Sequence, residues 1–165
     1  MNSEISPREL RKMIRKGEWT VPTSGAAQGH VQANLVMLPQ HEAFNFLLFC
    51  VRNPRPCPIL DVLEPGHVEP AIAREADLRT DLPRYRIFEN GKLKDEVEEV
   101  SDIFTDEMVS FLLGCSFSFE NALLVAGLPV RNLAEGKNVS MYITDVACKP
   151  AGPFSAPLVV SMRRR

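Results

Sequence analysis

The sequence lacks the features that most readily assign a small protein to a class. It has four cysteines, Cys50, Cys57, Cys115 and Cys148, and no two form a CxxC pair. Zinc-ribbon and thioredoxin-like spacings are therefore excluded. The three histidines, His30, His41 and His67, are scattered, so no metal site is expected. No apolar run reaches the ~20 residues that a spanning helix needs, and the first residues are charged and not a leader-like apolar stretch. This pattern predicts no membrane association and a cytoplasmic setting with free thiols. A mitochondrial matrix would be the eukaryotic equivalent, although no transit peptide is visible. An excess of charge is missing too. The formal net charge is -2 over 165 residues, which argues against a nucleic-acid partner.

What is present is the composition of a folded domain, with 45% hydrophobic residues, enough for a core at this length. Ser6-Pro7-Arg8-Glu9 predicts a capping box, with a helix over Leu10, Met13 and Ile14 that stops at Gly17. The alternation from Val31 to Leu38 predicts a strand ended by Pro39. Phe44, Leu47, Leu48 and Val51 then predict the apolar face of a helix over 40–51. A short strand is expected at 59–63, and Asn90-Gly91 predicts a type I′ hairpin between 85–88 and 92–93. The acidic stretch Asp95 to Glu107 reads as a solvated face. Helices are expected at 105–113 and from Ser116 or Ser118 to Gly127, with strands at 128–131, 139–144 and 157–162. Together these predict a mixed α/β fold, a layered sheet with flanking helices, with a candidate sub-boundary near 100–105.

Seven segments, taken in order, resemble the D-glutamate cyclase family of hydro-lyases. They are Pro22-Thr23-Ser24-Gly25, Gly29 to Asn34, Phe49 to Pro54 with Cys57-Pro58, Asp77 to Tyr85, Gly114 to Glu120, Asn138 to Tyr142, and Leu158 to Met162. His30 stands where that family usually has a tyrosine. The resemblance implies that residues 1–165 are the N-terminal portion of a longer fold. It also implies loss of water from a small acidic amino acid, D-glutamate closing to 5-oxo-D-proline, without an organic cofactor; the alternative is a catalytically silent, truncated remnant that keeps at most a carboxylate-binding pocket. Oligomeric state is not legible.

Such chemistry needs donors for carboxylates, a proton donor for the departing oxygen and a base for the amine. Arg52, Arg79 and Arg84 are candidate carboxylate clamps, because a guanidinium presents two parallel donors. Arg79 could equally pair with Asp77 or Asp81 to fix its loop. Thr23 and Ser24 could bind an oxyanion or form a plain turn. Gln32 and Asn34, on one face of the first strand, could reach the substrate or join a buried network. Ser116 and Ser118 flank an expected helix start, where free N–H groups favour an anion; Ser118 could equally be a simple cap. Glu120 is a candidate general acid, or a carboxylate that complements the helix dipole. A nucleophile elbow at Gly114-Cys115-Ser116 is disfavoured because a helix is expected before it.

Overall fold

A computed structural model describes residues 5–137 and 139–163. Asn138, in the sixth of those segments, and the terminal Arg164 and Arg165 lie outside the described residues. The fold is mixed α/β, and its core is a three-stranded antiparallel sheet in the order β1-β5-β2. These strands span Ala33–Pro39, Met108–Gly114 and Ile59–Leu63. The first helix, α1, spans Pro7–Arg15 and opens on the expected capping box, with Glu9 N donating to Ser6 Oγ at 3.2 Å and Ser6 N to Glu9 Oε2 at 3.0 Å.

Helix α2, Gln40–Arg52, crosses one face of the sheet. Its buried side is Ala43, Phe46, Phe49 and Cys50, not the face expected from Phe44 and Val51, which are 70% and 61% exposed. The apolar residues of this helix run nearly all round, so periodicity alone could not choose the face. Position decides it: Phe46 meets Phe111 edge-on at 4.9 Å and Phe154 at 5.2 Å. Such ring pairs add to simple area burial.

The helix expected at 105–113 is instead strand β5. Its run Met-Val-Ser-Phe-Leu-Leu-Gly is covered on both faces, so it shows no alternation. Val109, Phe111 and Leu113 join the α2 side. Leu112 packs the other way with Leu63 and Leu78, against which Leu35 and Met37 also lie. Ser110, neighbour to Leu112, has no exposed surface, and its Oγ has no hydrogen-bond partner among the described residues. An unmade hydrogen bond at full burial is costly. Ser110→Ala should therefore raise the melting temperature by about 2–4 °C, as read by a thermal melt; a drop would show that the hydroxyl is satisfied.

The hairpin β3 (Tyr85–Glu89) and β4 (Lys92–Val97) turns at Asn90 and Gly91 with φ of 50° and 73°, as the Asn-Gly pair predicts. Strand β4 is almost wholly exposed, and its Glu96 takes both Arg84 and Arg86. After β5 come a 3₁₀ turn, Ser116–Phe119, and α3, Glu120–Val125. No strand forms at 128–131: Val130 is extended but unladdered, and a single helical turn, α4 (Arg131–Ala134), follows it. Arg131 and Glu135 pair across that turn at 2.7 Å. Strands β6 (Ser140–Ala147) and β7 (Pro157–Met162) form a separate antiparallel ribbon. Among the described residues no helix is long and apolar enough to cross a membrane.

Candidate functional site

The end of β5, the 3₁₀ turn, α3 and the end of β7 meet around one buried ion pair. Glu120 and Arg163 have side chains only 5% and 10% exposed. Arg163 Nε and Nη2 both reach Glu120 Oε1, at 2.9 Å and 2.8 Å. Its Nη1 donates to Ser161 Oγ at 3.0 Å and its Nη2 to Ser116 Oγ at 3.1 Å. The two serine hydroxyls lie 3.1 Å apart, and the guanidinium lies 5.7 Å from the centre of the Phe117 ring. A charge withdrawn from water this far is tolerated only when paired and hydrogen-bonded, and here Glu120, Ser116 and Ser161 supply those partners to Arg163.

Three of the expected residues thus lie together. Ser116 and Glu120 share Arg163, and Ser118 stands in the turn between them. Ser118 does not cap α3. Its Oγ accepts from Gln32 N at 2.9 Å and donates to Gln32 O at 3.4 Å, tying the approach to β1 onto this turn. Cys115 N donates to the same carbonyl at 3.2 Å. The loop carrying Thr23 and Ser24 also comes towards this end of the fold, for a Cβ on Gly29 would lie 3.7 Å from Asn121 Nδ2. Thr23 closes a turn through Ala26 N at 3.0 Å. Asn34 is exposed on β1, opposite Leu113.

The three candidate clamps have their polar contacts elsewhere. Arg79 forms a fork with Asp77, Nε to Oδ1 at 3.0 Å and Nη2 to Oδ2 at 2.7 Å. That contact, the main cause, holds the Asp77 carboxyl below its ordinary pKa. Arg84 pairs with Glu96 at 3.2 Å, and Arg52 donates to the carbonyl of Pro150. A shallow cleft of about 420 Å³ adjoins the Asp77 loop, lined by Arg15, Glu69, Glu75 and Thr80 among others; it does not touch Glu120.

Two features were hidden in the sequence. Arg163 opens the run Arg163-Arg164-Arg165, which by composition reads as a basic tail, yet it forms the centre of the cluster; its place two residues beyond Ser161 in an apolar strand is the hint to the contrary. A strand, not a helix, precedes Gly114-Cys115-Ser116, so the objection to an elbow based on a preceding helix does not hold. Even so, the contacts of Ser116 Oγ are Arg163 and Ser161, neither of them a base that would activate a nucleophile. At six residues, α3 is also too short to present a strong N-terminal anion site.

The cysteines lie apart from this cluster, except Cys115 on its approach. Cys50 is 1% exposed, and Cys57 and Cys148 pack against the same core. Burial, and then the neighbouring Cys57, pushes the Cys50 thiol up to about 11; burial raises Cys57 as well. Among the described residues no group of three or more His, Cys, Asp and Glu is placed to hold a metal ion. Iodoacetamide at about pH 8 should leave Cys50 unmodified in the native protein and modify it in denaturant, because only the thiolate reacts. Mass spectrometry of the labelled peptides decides it, and native labelling of Cys50 would contradict its burial.

Comparison with known proteins places this arrangement in context. Residues 109–165, which carry the whole cluster, match the family described as D-glutamate cyclase. A protein of Syntrophobacter fumaroxidans, provisionally named a hydro-lyase, is 58% identical over 99% of this chain. Provisionally named hydro-lyases of Stutzerimonas stutzeri and Geobacillus kaustophilus are 55% and 56% identical over 97% and 96% of it. The chain spans 63%, 61% and 61% of the length of these three relatives.

Proposed function

We propose, from its match to the D-glutamate cyclase family over residues 109–165 and its likeness to hydro-lyases over nearly its whole length, that this chain is a member of that family and contributes the acid–base centre of a water-eliminating reaction on an acidic amino acid. The observation that carries the reading is the buried Glu120–Arg163 pair bracketed by the Ser116 and Ser161 hydroxyls. In D-glutamate, the amine nitrogen would attack the side-chain carboxyl carbon, forming a C–N bond. The C–O bond then breaks, and one oxygen departs as water. The ammonium gives up two protons, one before attack and one as the C–N bond forms, and Glu120 is suited to relay both to the leaving oxygen, which departs as water. Arg163 and the two hydroxyls are suited to stabilise the negative charge that gathers on the attacked carboxyl, since they are already fixed and largely out of water. Ser118 holds the turn through Gln32, which makes both positioning residues. In this reading Arg79, Arg84 and Arg52 brace loops, and the substrate's second carboxylate is bound by groups other than their paired guanidiniums.

Incubating the purified chain with D-glutamate and following 5-oxoproline by mass tests the proposal. Turnover is expected, and Ser116→Ala should lower it about tenfold, the weight of one hydrogen bond. A second reading is favoured by the 61–63% coverage of the relatives: the chain supplies a carboxylate-binding half-site that needs further residues to react. D-glutamate binding without product from a cooperatively melting sample would select that reading. Neither binding nor product would remove both.

A further inference from the structure

The β6–β7 ribbon carries more apolar surface than it covers. Its register sets Met141 opposite Ser161 and Ile143 opposite Val159, so Met141, Ile143 and Val159 share the face that bears Ser161. They are 64%, 76% and 49% exposed. On the other face Met162 is 49% exposed, and Val146 further along the ribbon is 56% exposed. No third strand extends the ribbon among the described residues. A two-stranded ribbon alone is marginally stable in water, and contiguous apolar exposure marks a surface that another body covers. Outer strand edges also invite pairing.

We propose that this ribbon is an interaction surface, and that its partner is the part of the family's fold outside the 61–63% of the relatives' length that this chain spans. Two observations favour that occupant over a second copy of this chain. The family match runs through the whole ribbon, from 109 to 165, so the relatives carry the same segment beside more than a third of additional chain. The exposed apolar residues also lie on the face of Ser161, which helps to hold Arg163 against Glu120. A body packed there would bury Met141, Ile143 and Val159 beside the already enclosed polar cluster. This inference stands apart from the proposed reaction, because it concerns what covers the ribbon and not what the cluster does.

Hydrogen exchange tests it in three proteins. These are this chain, the intact Syntrophobacter fumaroxidans relative, and a chimera in which this chain replaces the matching part of that relative. Ribbon amides should exchange about 100-fold more slowly in the two longer proteins than in this chain. Ile143→Lys with Val159→Lys should shift this chain's melting temperature by no more than about 2 °C, since both sites are exposed here, yet lower the chimera's by about 10 °C. If the chimera fails to fold, the intact relative still answers through exchange. Equal exchange rates in all three proteins would overturn the proposal. So would light scattering that shows this chain alone as a dimer with its ribbon already protected.

Discussion

Arg163→Met should cost about 3–5 kcal/mol and lower the melting temperature by roughly 10 °C. Methionine keeps much of the apolar stem but removes the charge, and leaves the Glu120 carboxylate 5% exposed without its partner. Ser116 and Ser161 would lose a shared donor in the same step. The double replacement Arg163→Met with Glu120→Leu should recover most of that loss, because a buried ion pair is worth little against an apolar pair of similar volume. That contrast is the informative measurement. If the single change costs under about 1 kcal/mol, the pair is solvated and the cluster is not the enclosed centre described above. Hydrogen exchange across α3 and β7, run beside the melt, would show whether the loss is local to this end of the fold. Function gives a second readout: both variants should lose turnover, including the double variant that regains stability. Stability and activity would then separate, as expected where buried charge is retained for chemistry.

The parts of the fold that were legible in the sequence are those governed by local rules. The capping box at Ser6 and Glu9, the Asn90-Gly91 hairpin, and β7 all follow from neighbouring residues. The misreadings share a different cause. Strand β5 is illegible in the sequence because both its faces are buried, and a run covered on two sides loses the period that separates strand from helix. The buried face of α2 is only half legible, with Leu47 and Leu48 packing on the core and Phe44 and Val51 exposed, because Phe44, Phe46, Leu47, Leu48, Phe49 and Val51 leave little polar contrast around the helix. Only Phe111 and Phe154, distant in sequence, select Phe46 and Phe49. The site followed the same division. Ser116, Ser118 and Glu120 could be named together because they are adjacent. Arg163 could not, since its role depends on the β6–β7 ribbon bringing residue 163 back to residue 120. The arginine clamps were suggested by residue type, and type does not reveal that Asp77 and Glu96 already occupy Arg79 and Arg84.

Asp81→Ala should destabilise by about 3 kcal/mol, a fall in melting temperature of about 6–12 °C, for reasons of architecture and not of catalysis. The Asp81 side chain is 2% exposed and holds α1 to the loop before β3. Both of its oxygens meet the Arg15 guanidinium, with Nη2 to Oδ2 at 2.7 Å. Arg11 approaches Oδ2 at 3.5 Å, and the backbone N–H of Asp77 donates to it at 2.8 Å. Removing the carboxylate leaves that N–H unsatisfied and takes from the two arginines their nearest counter-charge, with Asp77 and Glu75 remaining further from Arg15. The arginines, 18% and 39% exposed, can turn partly to water, which keeps the cost below that of a fully buried orphan. Asp81→Asn should recover about 1 kcal/mol, since an amide oxygen can still accept from Asp77 N. Equal losses for the two variants would mean that charge contributes most of the attachment and that the backbone acceptor contributes little. Because this cluster shares no residue with Ser116, Glu120 and Arg163, the Asn variant should keep its turnover per folded molecule. A variant that stays folded yet loses turnover would instead place the Asp77–Asp81 loop in the reaction, restoring Arg79 as a substrate clamp.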